Sequence, residues 1–422
     1  LAASIPYANL IILNLGQAVV AVFLASEFLK QDRKNDTVEV IYARSMTNGQ
    51  YILGKTLGIL AVFLVLNLVV LFMGIGFSLI GNFGSQSAFP YLAYPLLISL
   101  PTLTFILGLS FFLMVLVKNQ AVTFILLIGY IALTVFYLSK KAYHIFDYIA
   151  FNVPMMYSSI SGFGNFSEIL LHRSIYFVLG IGFILLTVYR LQRLPQSVKF
   201  TRVPLFAGLI LILAGGIMVW YYLHLKDSLF AFRQEVIELN NKYEHIPKPF
   251  VSFCDLNLEH RKDQICVNAT LKLVNRNAGM MDTLIISLNP SLKVEKLEVN
   301  NHPVAWKQMQ QIILHVLKDP VKPGDSLIVN MKYTGGINED MAFLDLGGKA
   351  FTDNPVYEVF RMQKRYAFLQ QDFVCLTSDV LWYPVTGTGY ATSVPLQYTP
   401  DFTRFVLKVK TDPDLLPVSQ GM

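Results

Sequence analysis

The stretch GQYILGKTLGILAVFLVLNLVVLFMGIGFSLIG, Gly49–Gly81, decides how this chain is to be read. Its first eight residues satisfy the phosphate-loop pattern G-x-x-x-x-G-K-[ST] at every fixed position. A working phosphate loop follows a buried strand and opens a soluble helix whose first N–H groups cradle phosphates. The preceding residues, VIYARSMTN, offer two apolar positions and then Arg44, Ser45, Thr47 and Asn48, which make a poor buried strand. Gln50, Tyr51, Ile52 and Leu53, between the two glycines, suit a helix entering lipid better than a tight loop. The run after Thr56 is apolar all round and long enough to span a bilayer. No apolar strand ending in Asp comes later in a soluble α/β context. Gly49–Thr56 therefore reads as the start of a membrane helix, and Lys55 as a membrane-boundary lysine that snorkels to the headgroups.

Composition agrees. Of 422 residues, 54% are hydrophobic and 15% charged, against about 25% charged in an average soluble protein. The net charge of +6 is small for this length and is read loop by loop, not as a nucleic-acid footprint. The chain opens at Leu1 inside an apolar run, which reads as a piece lacking its true N-terminus. Three cysteines, Cys254, Cys266 and Cys375, form no C-x-x-C pair and no zinc spacing.

Six stretches approach the roughly 20 apolar residues that a bilayer core requires: about 5–26, 56–80, 92–117, 121–138, 174–189 and 204–223. Between the first two lie Lys30, Arg33, Lys34, Arg44 and Lys55. Between the last two lie Arg190, Arg193, Lys199 and Arg202, and Lys118 sits in the short joint after the third. Alternating spans put these basic connections on one side, which the positive-inside rule makes the cytoplasm. The loop 139–173 then lies outside. Its Lys140, Lys141 and Arg173 run against the trend, and its AYHIFDYIAF and FGNF segments read as short interfacial helices. Asn9, Asn14, Gln17 and Asn67, inside the spans, either bond helix to helix or line a path.

After the sixth span the pattern changes. Residues 226–243 read as an amphipathic helix or stalk, which IPKPF ends. From Val251 the period becomes two. In ICVNATLKLV the apolar members are Ile265, Val267, Ala269 and Leu271, continuing into Leu273 or Val274, while Asn268, Thr270 and Lys272 face solvent. LIISLNPSLKVEKLEVNN gives two short strands about Asn289-Pro290, and KDPVKPGD separates the strands QIILHVL and SLIVNMKY. Short strands at about ten-residue spacing indicate a β-sandwich-like domain. On the arms of one hairpin, Cys254 and Cys266 point to opposite faces, which disfavours a bridge between them. The expected fold is thus a polytopic α-helical membrane domain over 1–223, a stalk over 224–249, and an all-β sandwich-like extracytoplasmic domain over 250–422.

The segment FLASEFLKQDRKNDTVEVIYARSMTNGQYILGKTLGIL resembles the membrane subunits of type-2 ABC exporters. There an acidic residue ends a span, an amphipathic coupling helix comes next, a basic residue precedes a small-polar turn, and Tyr-x-x-Gly-Lys opens the next span. Glu27, Arg33, Glu39, Arg44, Tyr51, Gly54 and Lys55 match. The resemblance covers about residues 1–223. It implies a separate cytoplasmic ATPase subunit that carries the ATP, docked on Glu27, Arg33, Asp36, Glu39 and Arg44. It further implies a second permease half or a homodimer, and a bacterial inner-membrane location. The rival reading of 30–48 is a solvated loop with ordinary interfacial anchors.

The β region resembles the N-terminal β-domain of aminopeptidase N type zinc metallopeptidases. Asn289, Pro290, Pro323, Gly324, Asp325, Tyr333 and Gly335 carry the likeness, with Trp382, Pro384 and Gly421 near the end. These enzymes bind zinc through H-E-x-x-H and recognise the substrate amine near Gly-x-Met-Glu-Asn. Neither motif occurs in this sequence, and no two of its seven histidines have the i, i+4 spacing of a zinc helix. Zinc would belong to a catalytic domain beyond the stretch given; no cofactor and no catalytic residue are assigned within it. Three readings are open: an ABC permease fused to an aminopeptidase-like external region, a membrane-anchored zinc aminopeptidase, or an external binding module with a membrane anchor.

Overall fold

The computed structural model describes residues 4–34, 46–81, 88–158, 162–191, 198–342, 344, 367–388 and 402–419. They fall into two compact units, one up to Lys226 and one from Asp227.

The first unit is helical: α1 (Ser4–Lys34), α2 (Asn48–Ile80), α3 (Phe89–Val117), α4 (Gln120–Phe136), α5 (Phe166–Arg190) and α6 (Val198–Tyr243), the last continuing into the second unit. Among the described residues, five helices are long and apolar enough to cross a membrane; α4, the fourth expected span, is a shorter apolar helix of 17 residues. The fifth stretch is longer than its apolar run suggested, because α5 begins at Phe166 and takes in Glu168, His172 and Arg173.

The opening stretch of α2 is helical from its first residue. Thr47 is extended, its hydroxyl accepts the N–H of Gln50 at 3.1 Å, and Gln50 Oε1 accepts the N–H of Thr47 at 2.9 Å. This reciprocal cap satisfies two donors that would otherwise be orphaned. All of Gly49–Thr56 lies inside α2, and the Thr56 hydroxyl donates back to Ile52 O at 2.8 Å.

Helices α3 and α5 run side by side through glycines. A Cβ on Gly180 would stand 2.6 Å from the Thr104 carbonyl carbon, and one on Gly108 would meet the Gly180 carbonyl. Such close approach lets helices pack by van der Waals contact where lipid supplies no hydrophobic drive. The polar residues of the spans bond helix to helix: Asn14 donates to Thr102 Oγ1, and Gln17 to Asn67 Oδ1 at 2.8 Å.

The second unit is sheet-rich. Its strands are β1 (Phe250–Arg261), β2 (Gln264–Val274), β3 (Met281–Ser287), β4 (Leu292–Val299), β5 (His302–Pro303), β6 (Lys307–Met309), β7 (Ile312–Val321), β8 (Ser326–Gly335), β9 (Ala367–Leu369), β10 (Val374–Leu376), β11 (Val385–Thr386) and β12 (Arg404–Lys410). Among the described residues, one sheet has the order β12-β1-β2-β8-β4-β5 and a second β11-β3-β7-β6; β9 and β10 pair separately. One core holds both larger sheets together, with Leu256, Val267, Leu271 and Val329 from the first and Leu284, Ile286 and Ile313 from the second. Ile265, Val267, Ala269, Leu271 and Leu273 are buried, while Asn268 and Lys272 are exposed, as the period of two requires.

Both expected turns are crossovers between sheets. β3 and β4, about Asn289-Pro290, belong to different sheets, and so do β7 and β8. Asn289 is fully buried; its amide donates to Val380 O and Asn338 O, and its carbonyl accepts the N–H groups of Ser291 and Asn338. The last turns of α6 pack within this unit. Val236 meets Met341, Leu344 and Leu381, and Gln311 donates to Val236 O and Asn240 Oδ1.

Candidate functional site

The residues expected to meet an ATPase are only partly described. Glu27, near the end of α1, accepts a hydrogen bond from Gln120 Nε2 at 2.8 Å. Arg33 lies in α1 but its side chain falls outside the described residues, as do Asp36, Glu39 and Arg44 altogether. Lys55 is half-buried and sits over the Tyr51 ring, 4.7 Å from its centroid.

Around these positions the helix ends converge. Asn48 Nδ2 donates to Leu191 O at 2.6 Å, and Met46, Tyr51, Val115, Ile184, Val188 and Leu191 share one apolar cluster. The end of α1, the start of α2, the α3–α4 joint and the end of α5 therefore lie at one end of the helical unit. At the other end, Tyr7, Leu71, Tyr94, Val153, Met155 and Ile169 pack together.

The chemistry of the helical unit centres on Arg173, of which 1% is exposed. Its Nε donates to Leu97 O at 2.6 Å, Nη1 to Tyr148 O at 3.0 Å, and Nη2 to Ile98 O at 3.0 Å and Thr102 Oγ1 at 2.7 Å. The acceptors exist because of α3. Pro95–Ser99 is a π turn, and Pro101 has no N–H to offer the Leu97 carbonyl four residues back. The guanidinium satisfies the Leu97 carbonyl that Pro101 leaves open, and the Thr102 hydroxyl donates to Tyr148 O at 2.8 Å.

The same network holds the segment between α4 and α5. Asn14 donates to Ile149 O, Tyr7 to Val153 O, Tyr94 to Met155 O, Tyr176 to Ile145 O and Tyr222 to Tyr143 O. His172 Nε2 faces His144 O at 3.0 Å, so that nitrogen carries the ring proton. AYHIFDYIAF is consequently not an interfacial helix. One 3-10 turn, Ala142–His144, leads into turns whose Tyr148, Ile149 and Ala150 are fully buried, with positive φ at Ala142, Tyr143, His144 and Ala150. Nor is Arg173 a loop charge: it lies one turn and more inside α5.

Asp147 is the buried acid of this segment. Its Oδ2 accepts the Asn152 N–H at 2.5 Å, while Oδ1 has no hydrogen-bond partner. Burial pushes the carboxyl above the ordinary Asp value; the Asn152 and Phe151 amides and the charges of Arg173 and His144 oppose that rise. At the mouth of the segment Glu168 pairs with Lys226 at 2.5 Å. Sequence reading missed Arg173, His172 and Asp147 as a group. The available signal was HR set inside the helical period of FSEILLHRSIYFVLG.

In the second unit the residues carrying the sequence likeness occupy structural corners. Gly324 has φ +87° and Gly335 φ +152°, and the buried Tyr333 hydroxyl donates to Trp382 O. Gly421 lies outside the described residues. Among the described residues no group of three or more His, Cys, Asp or Glu side chains is placed to hold a metal. Cys254, Cys266 and Cys375 are free thiols. On the β1–β2 hairpin Cys254 lies opposite Leu271 and Cys266 opposite Glu259.

No family model matches the chain, and no curated protein matches it in sequence. Among solved structures, it is similar to the M1 zinc metallopeptidase from Deinococcus radiodurans, at 21% identity and a TM-score of 0.20, over 22% of this chain and 21% of that one. It is also similar to Legionella pneumophila aminopeptidase A, at 16% identity and a TM-score of 0.20, over 24% of this chain and 12% of that one. The matched part thus spans about an eighth of the Legionella enzyme and about a fifth of the Deinococcus one.

Proposed function

We propose that the helical unit is the membrane subunit of an ABC-type transporter, moving substrate or force with a separate cytoplasmic ATPase. The observation that carries this reading is the convergence of helix ends through Gln120–Glu27 and Asn48–Leu191. It gathers the end of α1, the start of α2, the α3–α4 joint and the end of α5 at one end of the unit; Lys118 and Arg190 lie there, and in the sequence Lys30, Arg33, Lys34 and Arg44 fall between α1 and α2 or at their ends, the distribution expected of a cytoplasmic face. With Arg173 inside α5, the segment at the other end is less basic than its sequence suggested, which supports the same orientation. The segment after Glu27 is then the coupling surface, with mixed charges around Val38, Val40, Ile41 and Tyr42. The exposed apolar faces of α2 (Val62, Val65, Phe72) and α6 (Leu209, Leu213, Ile217) meet lipid and a second permease half.

In this orientation α6 leaves the cytoplasmic end, and the sheet-rich unit it leads into is an external, aminopeptidase-like region of a bacterial inner-membrane protein. The test is co-purification of an ATPase subunit with the full chain, followed by reconstitution of the two together. Expected is ATP hydrolysis that depends on the chain and is lost on Arg33→Glu or Arg44→Glu. Hydrolysis indifferent to both reversals, or a map placing residues 30–48 outside the cell, overturns the reading.

A further inference from the structure

We propose that Asp147 is a buried proton-binding site that sets which partners Arg173 holds, and so how tightly the segment between α4 and α5 is docked. Arg173 directs its described hydrogen bonds to uncharged oxygens: the carbonyls of Leu97, Ile98 and Tyr148 and the hydroxyl of Thr102. None reaches a carboxylate, although the Tyr148 carbonyl it binds belongs to the residue next to Asp147. Asp147 is 1% exposed; the main-chain amides of Asn152 and Phe151 act on its carboxyl, Oδ2 accepting from Asn152, and Oδ1 has no partner. An ionised carboxylate in such a place leaves about 1–3 kcal/mol or more of hydrogen bonding unmade. A neutral acid removes the buried charge: Oδ2 still accepts, and the proton sits on Oδ1, which has no hydrogen-bond partner whether the group is neutral or ionised.

The surroundings favour the neutral form without removing the alternative. The charged and titratable groups that act on Asp147 or feel its charge are His144 and Tyr148 from its own segment, Tyr130 from α4, Arg173 and Tyr176 from α5, and Tyr222 from α6. α1 and α3 contribute the uncharged Asn14 and Thr102. Arg173 is the near permanent cation. When Asp147 gives its proton to bulk solvent, the new carboxylate attracts Arg173 away from the α3 carbonyls. The π turn at Pro95–Ser99 then loses its outside donor, and the segment, held to α5 through Asp147, loosens from α3. When the proton returns, Arg173 goes back to the carbonyls.

A carboxyl whose value is raised in the folded state contributes stability that is complete at low pH. That contribution is lost as pH climbs from the ordinary Asp value, about 4, toward the raised one. One proton changes the open fraction by at most about tenfold per pH unit inside that window.

The experiment uses the full chain in lipid nanodiscs. Amide hydrogen exchange of residues 142–157, corrected for the intrinsic pH dependence of exchange, is followed from about pH 5 to about pH 8 for the wild type and Asp147→Asn. Expected is opening that rises with pH in the wild type and stays flat, at the low-pH level, in Asp147→Asn. A protonated-carboxyl infrared band present at low pH and missing in Asp147→Asn is expected alongside it. Opening that rises equally in both proteins overturns the proposal. So does a wild type with no protonated-carboxyl infrared band at about pH 5 that is lost by about pH 8, a measurement that stands even where Asp147→Asn fails to fold. Loss of ATPase coupling leaves both readouts intact, so this site is tested separately from the transporter reading.

Discussion

Gly180 and Gly108 bring the backbones of α5 and α3 into direct contact: a Cβ on Gly180 would lie 2.7 Å from the Phe105 nitrogen, and one on Gly108 would overlap the Gly180 carbonyl. The obstacle in each case is main chain, which cannot rotate aside. Gly180→Ala is expected to destabilise the helical unit by about 1–3 kcal/mol, the usual cost of overpacking. Gly129→Ala, whose Cβ meets nothing within 4 Å, is the control. It should be neutral or stabilising by about 0.5–1 kcal/mol through helix propensity. Thermal unfolding of the two variants in detergent checks the pair; equal behaviour would show that α3 and α5 do not touch here.

Arg173→Met keeps the length and apolar stem but removes every donor. It leaves the carbonyls of Leu97, Ile98 and Tyr148 without this partner, at about 1–3 kcal/mol for each group left unpaired. The expected outcome is a folded fraction far below wild type, with Arg173→Lys intermediate because one ammonium cannot reach all four acceptors. Limited trypsin cleavage at Lys140 and Lys141 reads the docking of the segment directly. Unchanged cleavage in Arg173→Met would show that the bond from Arg173 to Tyr148 O does not hold the segment in place.

Lys55→Ala should leave nucleotide binding by this chain at background, because Gly49–Thr56 is already helix and its backbone is committed to helical bonds. Thr47→Ala, in contrast, removes the cap and should cost about 0.5–2 kcal/mol. Binding of a fluorescent ATP analogue that Lys55→Ala abolishes would refute this.

The thiols should react in the order of their exposure: Cys375 first, then half-buried Cys266, and Cys254 only on unfolding. Burial pushes the Cys254 thiol up to about 12, with nearby Asp255 adding to the rise. Its labelling should therefore stay slow up to about pH 9, where little thiolate is present. A Cys254–Cys266 peptide linked through sulfur in a non-reducing digest would contradict the free thiols.

Much of the second unit was legible because one period of two sets both strand and face there. The alternation of Ile265, Val267, Ala269 and Leu271 dictates both strand and face, and Asn289-Pro290 and Pro323-Gly324 mark where the chain turns. Alternation does not carry partnership. β3 and β4 read as neighbours about a turn yet cross to different sheets, because Asn289 is held by Val380 and Asn338, far along the chain. In the helical unit, apolar runs gave the elements but underestimated α5. A window tuned to lipid stops at a charge, whereas Arg173 sits in a polar socket built by a proline and a π turn on another helix. The coupling residues Arg33, Asp36, Glu39 and Arg44 rest on the sequence resemblance alone.

The segment between α4 and α5 is gripped by its main chain. Tyr7, Asn14, Tyr94, Arg173, Tyr176 and Tyr222 all donate to peptide carbonyls there. A carbonyl is the same at every residue, so this anchorage is blind to what the outward side chains are. Exposed Lys141 and Phe146 can drift in identity while the path of the chain is conserved. The segment is thus a pedestal with an open alphabet on top, free to vary what this end of the helical unit presents without rebuilding the bundle beneath it.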